Sequence, residues 1–282
     1  MKIIKKVKTM QKLSDSRRCE GRVIGLVPTM GALHDGHVSL IKKCKAESDV
    51  TIVSIFINRL QFGVNEDFSN YPKRFDADKK VALSAGVDYI FAPSEDELYS
   101  DVFSSFVDVK GVTDNLCGAS RPGHFKGVTT VVAKLFNIIK PHKAYFGEKD
   151  YQQLVTIKKM VADLNFDVKI IGGKIVRERD GLAMSSRNVY LKSDERKRAP
   201  IIYKSLKESR ELFFNGENSS FKIIKNAVNM IESQGFKIDY VKIVDLITLR
   251  DVKEIGSPAL MAVAAKIGGT RLIDNIILKR KD

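Results

Sequence analysis

Between Val23 and Val176 the chain alternates short, nearly all-apolar runs with longer stretches in which apolar residues recur every three or four positions. The short runs read as strands and the longer ones as amphipathic helices. Val23–Pro28 is a strand that leads into Thr29-Met30-Gly31, and His37–Glu47 is a helix with Leu40, Ile41 and Cys44 on one face. Val50–Ile57 is β-branched and almost wholly apolar, the composition of a strand covered on both sides. A helix over Arg74–Ala85, a strand over Asp88–Ala92 and a helix over Phe125–Ile139 follow. Then come a strand over Lys143–Phe146, a helix over Asp150–Leu164 and an extended run over Val168–Val176. This alternation predicts an α/β fold, a parallel sheet with helices on both faces. Ligands of such sheets lie beyond the carboxyl ends of the strands, which points to the loops after Val27, Ile57 and Phe146.

Beyond Val176 the pattern changes. A charged loop with Arg177, Arg179, Asp180 and Arg187 leads into a long helix over Asp194–Phe214 and a second near Phe221–Gln234. Strand-like runs follow at Asp239–Asp245, Leu260–Ile267 and Arg271–Leu278. Helices followed by antiparallel-looking strands predict a smaller α+β domain. The expected organisation is one domain over residues 1–176 and a smaller one over 177–282, joined by a short hinge, because no Pro- or Gly-rich linker separates them.

Composition narrows the function. With 44% hydrophobic and 29% charged residues the chain is not of the disordered class. No run approaches the roughly 20 apolar residues of a membrane span. Met1–Leu13 carries lysines where an export signal would be apolar, so a cytoplasmic protein without a membrane partner is expected. Cys19, Cys44 and Cys117 are odd in number and far apart, which excludes a disulfide scaffold or a zinc ribbon. The 48 Lys and Arg outnumber the 34 Asp and Glu, for a formal charge of +14. Such a charge permits nucleic-acid binding. The lysines are nevertheless scattered, with no basic tail, zinc-finger spacing or aromatic RNA-binding motif, so the expectation is a lysine-rich surface with an anionic small-molecule site and no nucleic-acid partner.

Three strand-to-helix loops carry candidate chemistry. Met30-Gly31-Ala32-Leu33-His34-Asp35-Gly36-His37 follows the first predicted strand, and its two histidines fall on one side of a helical first turn. Imidazoles beside the free N–H groups of a helix start suit a phosphate. A metal pair or two ordinary surface histidines are the other readings of the same residues. Gly147-Glu148-Lys149-Asp150 repeats the arrangement, with Lys149 a point charge for phosphate and Asp150 either a ribose acceptor or a helix cap. Met184-Ser185-Ser186-Arg187 offers two hydroxyls and a guanidinium suited to outer phosphates. Gln61 and Gln153 each combine donor and acceptor and could hold a hydroxy acid, or simply face solvent.

Taken together, these residues resemble a known family. PTMGALHDGH is similar to the HxGH signature of nucleotidyltransferase-like α/β enzymes, and LQFGVNEDFSNYP, RPGHFKGV, FGEKDYQQL and DGLAMSSRN follow in the order seen in the pantoate–β-alanine ligase family. The resemblance implies a Rossmann-like N-terminal domain, a C-terminal domain closing over the active site, and usually a homodimer. It implies an ATP-dependent condensation of (R)-pantoate with β-alanine through a pantoyl adenylate, releasing AMP and pyrophosphate. It assigns ATP to Met30, Gly31, Ala32, Leu33, His34, Asp35, Gly36 and His37, to Gly147, Glu148, Lys149 and Asp150, to Val176, and to Met184, Ser185, Ser186 and Arg187. It assigns pantoate to Gln61 and Gln153, and puts Arg121 and His124 beside the site. It credits His37 with proton donation; His37, His34, Lys149 and Arg187 are expected as the catalytic set because bringing two anions together needs a positive field, with Mg²⁺ carried on the phosphates and no metal site built from the protein. A nucleotidylyltransferase acting on a phosphorylated acceptor is the alternative within the same superfamily. One departure stands out: Arg59 occupies a position where the family usually has proline, which is expected to loosen the loop presenting Gln61 and to add a charge near a carboxylate substrate.

Overall fold

The computed structural model describes residues 1–63, 66–256 and 258–280. Val64 and Asn65, inside the LQFGVNEDFSNYP run, lie outside the described residues. In chain order the elements are β1 (Lys2–Ile4), α1 (Val7–Cys19), β2 (Ile24–Thr29), α2 (Asp35–Glu47), β3 (Val50–Ile55), α3 (Phe75–Ser84), β4 (Tyr89–Phe91), α4 (Glu95–Leu98), α5 (Leu116–Ser120) and α6 (His124–Ile139). They continue with β5 (Lys143–Gly147), α7 (Tyr151–Asp163), β6 (Lys169–Gly173), α8 (Ser193–Arg198), α9 (Ile201–Phe214), α10 (Ser220–Glu232), β7 (Lys237–Asp245), β8 (Ala259–Ile267) and β9 (Thr270–Leu278).

The chain divides into two units, one of residues 1–109, 121–148 and 153–174, the other of residues 110–120, 149–152 and 175–282. The single boundary near residue 176 read from the sequence is thus accompanied by two short segments, 110–120 and 149–152, that precede it and group with the C-terminal unit.

In the first unit, the described strands form a parallel sheet in the order β1-β4-β3-β2-β5-β6. Consecutive residues Leu26 and Val27 of β2, and Ile52 and Val53 of β3, are all buried. Because neighbouring side chains on a strand point to opposite faces, the sheet is covered on both sides, as the all-apolar runs predicted. Leu40, Ile41 and Cys44 of α2 and Ala82 of α3 close one core with Val27, Val53, Ile90 and Tyr145. The strand order reverses between β2 and β5, so their carboxyl ends form a topological switch point, the place where α/β sheets take ligands.

In the second unit β7, β8 and β9 form an antiparallel sheet, and α9 and α10 bury Ile202, Leu206, Phe213, Ile223, Ala227 and Ile231 in one core with Val241, Ile243, Met261, Val263 and Leu272. The predicted helix over Asp194–Phe214 is in fact two, α8 and α9, broken at Ala199-Pro200. Proline has no N–H to continue the ladder and clashes with the preceding turn, so it starts a helix far more readily than it sits inside one. The charged loop after Val176 is also more ordered than its composition suggests. It is a short hairpin, with Met184 N donating to Val176 O at 3.0 Å, Glu178 N to Leu182 O at 2.8 Å, and Gly181 at φ +96° in the turn.

Candidate active site

The loop after β2 is held in an unusual backbone shape. Gly31 and Ala32 both have positive φ, +87° and +50°. For alanine this left-handed conformation costs about 1–2 kcal/mol. What holds it is Asp78 of α3, 2% exposed, whose carboxylate accepts from Ala32 N at 2.9 Å and Leu33 N at 2.7 Å. A Cβ on Gly31 would stand 2.9 Å from that carboxylate, so only glycine lets it approach. Asp78 was not legible as a site residue, since an acid in the first turn of a helix ordinarily serves the helix dipole.

His34 and His37 come together as expected, with ring centroids 4.1 Å apart at the start of α2. The cap is His34 itself, where the sequence had suggested Asp35-Gly36. His34 Nδ1 accepts from Gly36 N at 3.2 Å and His37 Nδ1 accepts from His34 N at 3.3 Å. With Nδ1 occupied as acceptor, the proton of each neutral ring resides on Nε2. The pair therefore supplies two N–H donors at the positive end of a helix, which suits a phosphate oxygen. Among the described residues no group of three or more His, Cys, Asp or Glu is arranged to hold a metal.

Gln61, 9% exposed, is fixed from several sides. Tyr99 Oη donates to Asn58 Oδ1 at 2.8 Å, which leaves Asn58 Nδ2 to donate to Gln61 Oε1 at 3.2 Å and to Gly127 O at 3.0 Å. Gln61 Nε2 is thereby turned toward Met30 Sδ, 3.0 Å away. Its backbone is held separately, because His124 Nδ1 donates to Gln61 O at 2.7 Å while His124 Nε2 accepts from Arg121 Nη1 at 3.1 Å. Arg121 in turn forms a two-pronged ion pair with Glu66. Burial works against the Glu66 charge, but the Arg121 guanidinium wins and holds this carboxyl below its ordinary range. Gly127 brings α6 against this turn, since a Cβ there would run into the Leu60 carbonyl and stand 2.6 Å from Gln61 N. Gly127 lies inside the RPGHFKGV run, but its role, like those of Asn58 and Tyr99, shows only in their contacts around the Arg59–Gln61 turn.

Arg59 is ion-paired. Its Nε donates to Glu95 at 2.8 Å, in an ion pair whose side chains are 65% and 42% exposed. Gln153 is half-buried in the first unit, whereas its neighbour Gln152 is buried in the second and serves the fold: its amide donates to Val112 O and Asn115 O and accepts from Cys117 N. Gly147 and Glu148 end and follow β5 at the switch point.

The remaining candidates lie in the second unit. Lys149 lines a small pocket with Ser185, Asn188 and Asp274, over a floor that includes Leu182, Ala183, Ile202, Leu272 and Ile273. The Lys149 side chain is 16% exposed, and exposed Asp150 stands 3.8 Å from its ammonium. Ser185 caps the short helical turn over Ser186–Tyr190, its hydroxyl accepting from Arg187 N at 3.3 Å. The charges flanking that turn are structural. Arg196 bridges Glu178 and Asp180, and Arg177 pairs with Asp274. Arg196 is the main reason the Asp180 carboxyl lies below its ordinary value.

A parallel sheet with two imidazoles on a helix start at its switch point defines an α/β protein whose fold offers a place for an anionic ligand. Sequence comparison places it more closely. The chain belongs to the pantoate–β-alanine ligase family, whose model matches residues 2–277. It is 52% identical to the pantothenate synthetase of Acetivibrio thermocellus, over 99% of this chain and all of that protein. Its fold is similar to the crystal structure of pantothenate synthetase from Thermus thermophilus, with TM-score 0.94 and 40% identity over 99% of this chain and 100% of the other. It is also similar to the pantoate–β-alanine ligase of Francisella tularensis complexed with beta-gamma ATP and β-alanine, with TM-score 0.84 and 38% identity over 99% and 98% of the two chains.

Proposed function

We propose that this chain is an ATP-dependent ligase that joins (R)-pantoate to β-alanine through a pantoyl adenylate. The observation that carries this reading is membership of the ligase family along nearly the whole chain. In the first step a carboxylate oxygen of pantoate attacks the α-phosphorus of ATP and pyrophosphate leaves. The carboxylate is already ionised at neutral pH, so no general base is needed. The barrier lies in bringing two anions into line and in holding the charge that builds on the phosphates. We assign the Nε2–H groups of His34 and His37 to that charge, together with Lys149 and Arg187, and ATP contacts to the Met30–His37, Gly147–Asp150, Val176 and Met184–Ser186 segments. In support, Nδ1 of each histidine accepts a backbone N–H at the head of α2, which leaves Nε2 to carry the proton of a neutral ring. Gln61 and Gln153 are assigned to pantoate, supported at Gln61 by an amide whose donor end is set by Asn58.

In the second step the β-alanine amine attacks the acyl carbon, the bond from that carbon to the phosphate oxygen breaks, and AMP leaves. Closure of the C-terminal domain over the nucleotide, to keep water from the adenylate, belongs to the same proposal. So do Mg²⁺ held on the phosphate oxygens, a homodimer and a cytoplasmic location. Among the described residues no helix is long and apolar enough to cross a membrane.

The test is pyrophosphate release with pantoate, ATP and β-alanine, omitting each in turn. The expected result is AMP, pyrophosphate and pantothenate in equal amounts with all three present, and a single turnover of adenylate without β-alanine. Release independent of pantoate, or nucleotide transfer to a phosphorylated acceptor, would overturn the reading.

A further inference from the structure

Lys149 sits on a one-turn 3₁₀ helix, Glu148–Asp150, that links β5 directly to α7. Within the second unit that backbone is gripped from β9. Asn275 Nδ2 donates to Lys149 O at 2.9 Å. Asn275 is 6% exposed, and Asp274 before it 4%. An amide and a carboxylate so buried are costly unless bonded, and here both are. Asp274 Oδ1 accepts from Asn275 N at 2.8 Å, and its two oxygens take both terminal nitrogens of Arg177. Arg177 is fixed in turn, donating to Gly181 O at 3.1 Å and lying 3.7 Å over the Tyr203 ring. Asp274 and Lys149 also line the same small pocket. The chain of contacts therefore runs Tyr203–Arg177–Asp274–Asn275–Lys149.

We propose that Asn275, steadied by the Asp274–Arg177 pair, is a positioning residue that sets the Lys149 ammonium for adenylate formation. The inference rests on the proposed role of Lys149 in that reaction. Misplacing a group that stabilises charge by about 1 Å costs on the order of 10²-fold in rate, so losing one of the restraints on Lys149 should cost on the order of tenfold.

A double-mutant cycle on the full chain tests it, with single-turnover formation of pantoyl adenylate as the readout and the melting temperature of each variant recorded beside it. Asn275→Ala should slow adenylate formation about tenfold and Lys149→Ala about 10²-fold. The double variant should be no slower than Lys149→Ala within about threefold, because a restraint has nothing to act on once the ammonium is gone. The KM for pantoate should stay within about twofold of the parent in Asn275→Ala, as expected when one interaction made only in the transition state is lost. Asn275→Leu, close in shape and unable to donate, provides the same measurement if the alanine variant folds poorly. Effects that multiply in the double variant, or a normal rate in both Asn275 variants, would overturn the proposal. A normal rate in Lys149→Ala would overturn it together with the role of Lys149. A parent chain that forms no pantoyl adenylate would instead overturn the ligase reading.

Discussion

Replacing Asp78 by alanine should separate the shape of the phosphate loop from the residues that touch phosphate. The carboxylate accepts two backbone N–H groups, from Ala32 and Leu33, while itself 2% exposed. Hydrogen bonds to a charged partner contribute about 1.5–3 kcal/mol each. Ala32 and Leu33 are only half-buried, so water can satisfy part of the loss, and the low end applies: about 3 kcal/mol for the two bonds. Without them the cost of about 1–2 kcal/mol for alanine in the left-handed region loses its main offset, and the loop should leave that conformation. His34 is two residues further on, so adenylate formation should fall by about 10²-fold. Asp78→Asn keeps one acceptor oxygen and should lose roughly half of each quantity, on the same per-bond basis. Urea unfolding and single-turnover adenylate formation measure the two effects. If Asp78→Ala were less stable by the expected amount but formed adenylate at the parental rate, the loop shape would not be what positions the imidazoles.

Other outcomes follow from the same geometry. Gly127→Ala should cost about 3 kcal/mol or more by driving a Cβ into the Leu60 carbonyl, and should raise the KM for pantoate more than that for ATP; equal stability and kinetics would show that α6 can move away freely. Glu66 has a folded-state pKa below its unfolded value despite partial burial, so its contribution to stability is complete above about pH 4.5 and is lost as pH falls through the lowered value. Urea midpoints followed from about pH 6 down to about pH 3 should therefore fall less steeply in Glu66→Gln than in the parent. Arg59→Pro should change stability by less than about 1 kcal/mol: the exposed pair with Glu95 contributes little, and Asn58, at φ −83° and ψ 106°, already has the extended backbone that precedes proline. Its KM for pantoate should stay within about twofold of the parent, and a larger change would restore a role for that charge in the substrate site.

The hydrophobic pattern was enough to read the parallel sheet and its helices, because strands buried on both faces must be apolar throughout and their crossover helices must carry one apolar stripe. It was silent on β1, α1 and the short α4 and α5. Lys2–Ile4 is a three-residue strand, and α1 (VKTMQKLSDSRRC) buries only Met10 and Ser14. Pro200 breaks the helix predicted over Asp194–Phe214, although the apolar periodicity continues on either side of it. The site divides in the same way. Histidine and lysine in strand-to-helix loops announce themselves by residue type and place. Asp78, Asn58, Tyr99, Gly127 and Asn275 depend on partners 41 to 126 positions away, and no local pattern encodes such a pairing.

The central claim, that the carboxylate of pantoate is activated on the α-phosphorus, is tested most directly by isotope transfer. With pantoate labelled by ¹⁸O in both carboxylate oxygens, one turnover should leave one ¹⁸O in AMP, one in the amide carbonyl of pantothenate and none in pyrophosphate. Label appearing in pyrophosphate or inorganic phosphate, with none in AMP, would contradict it.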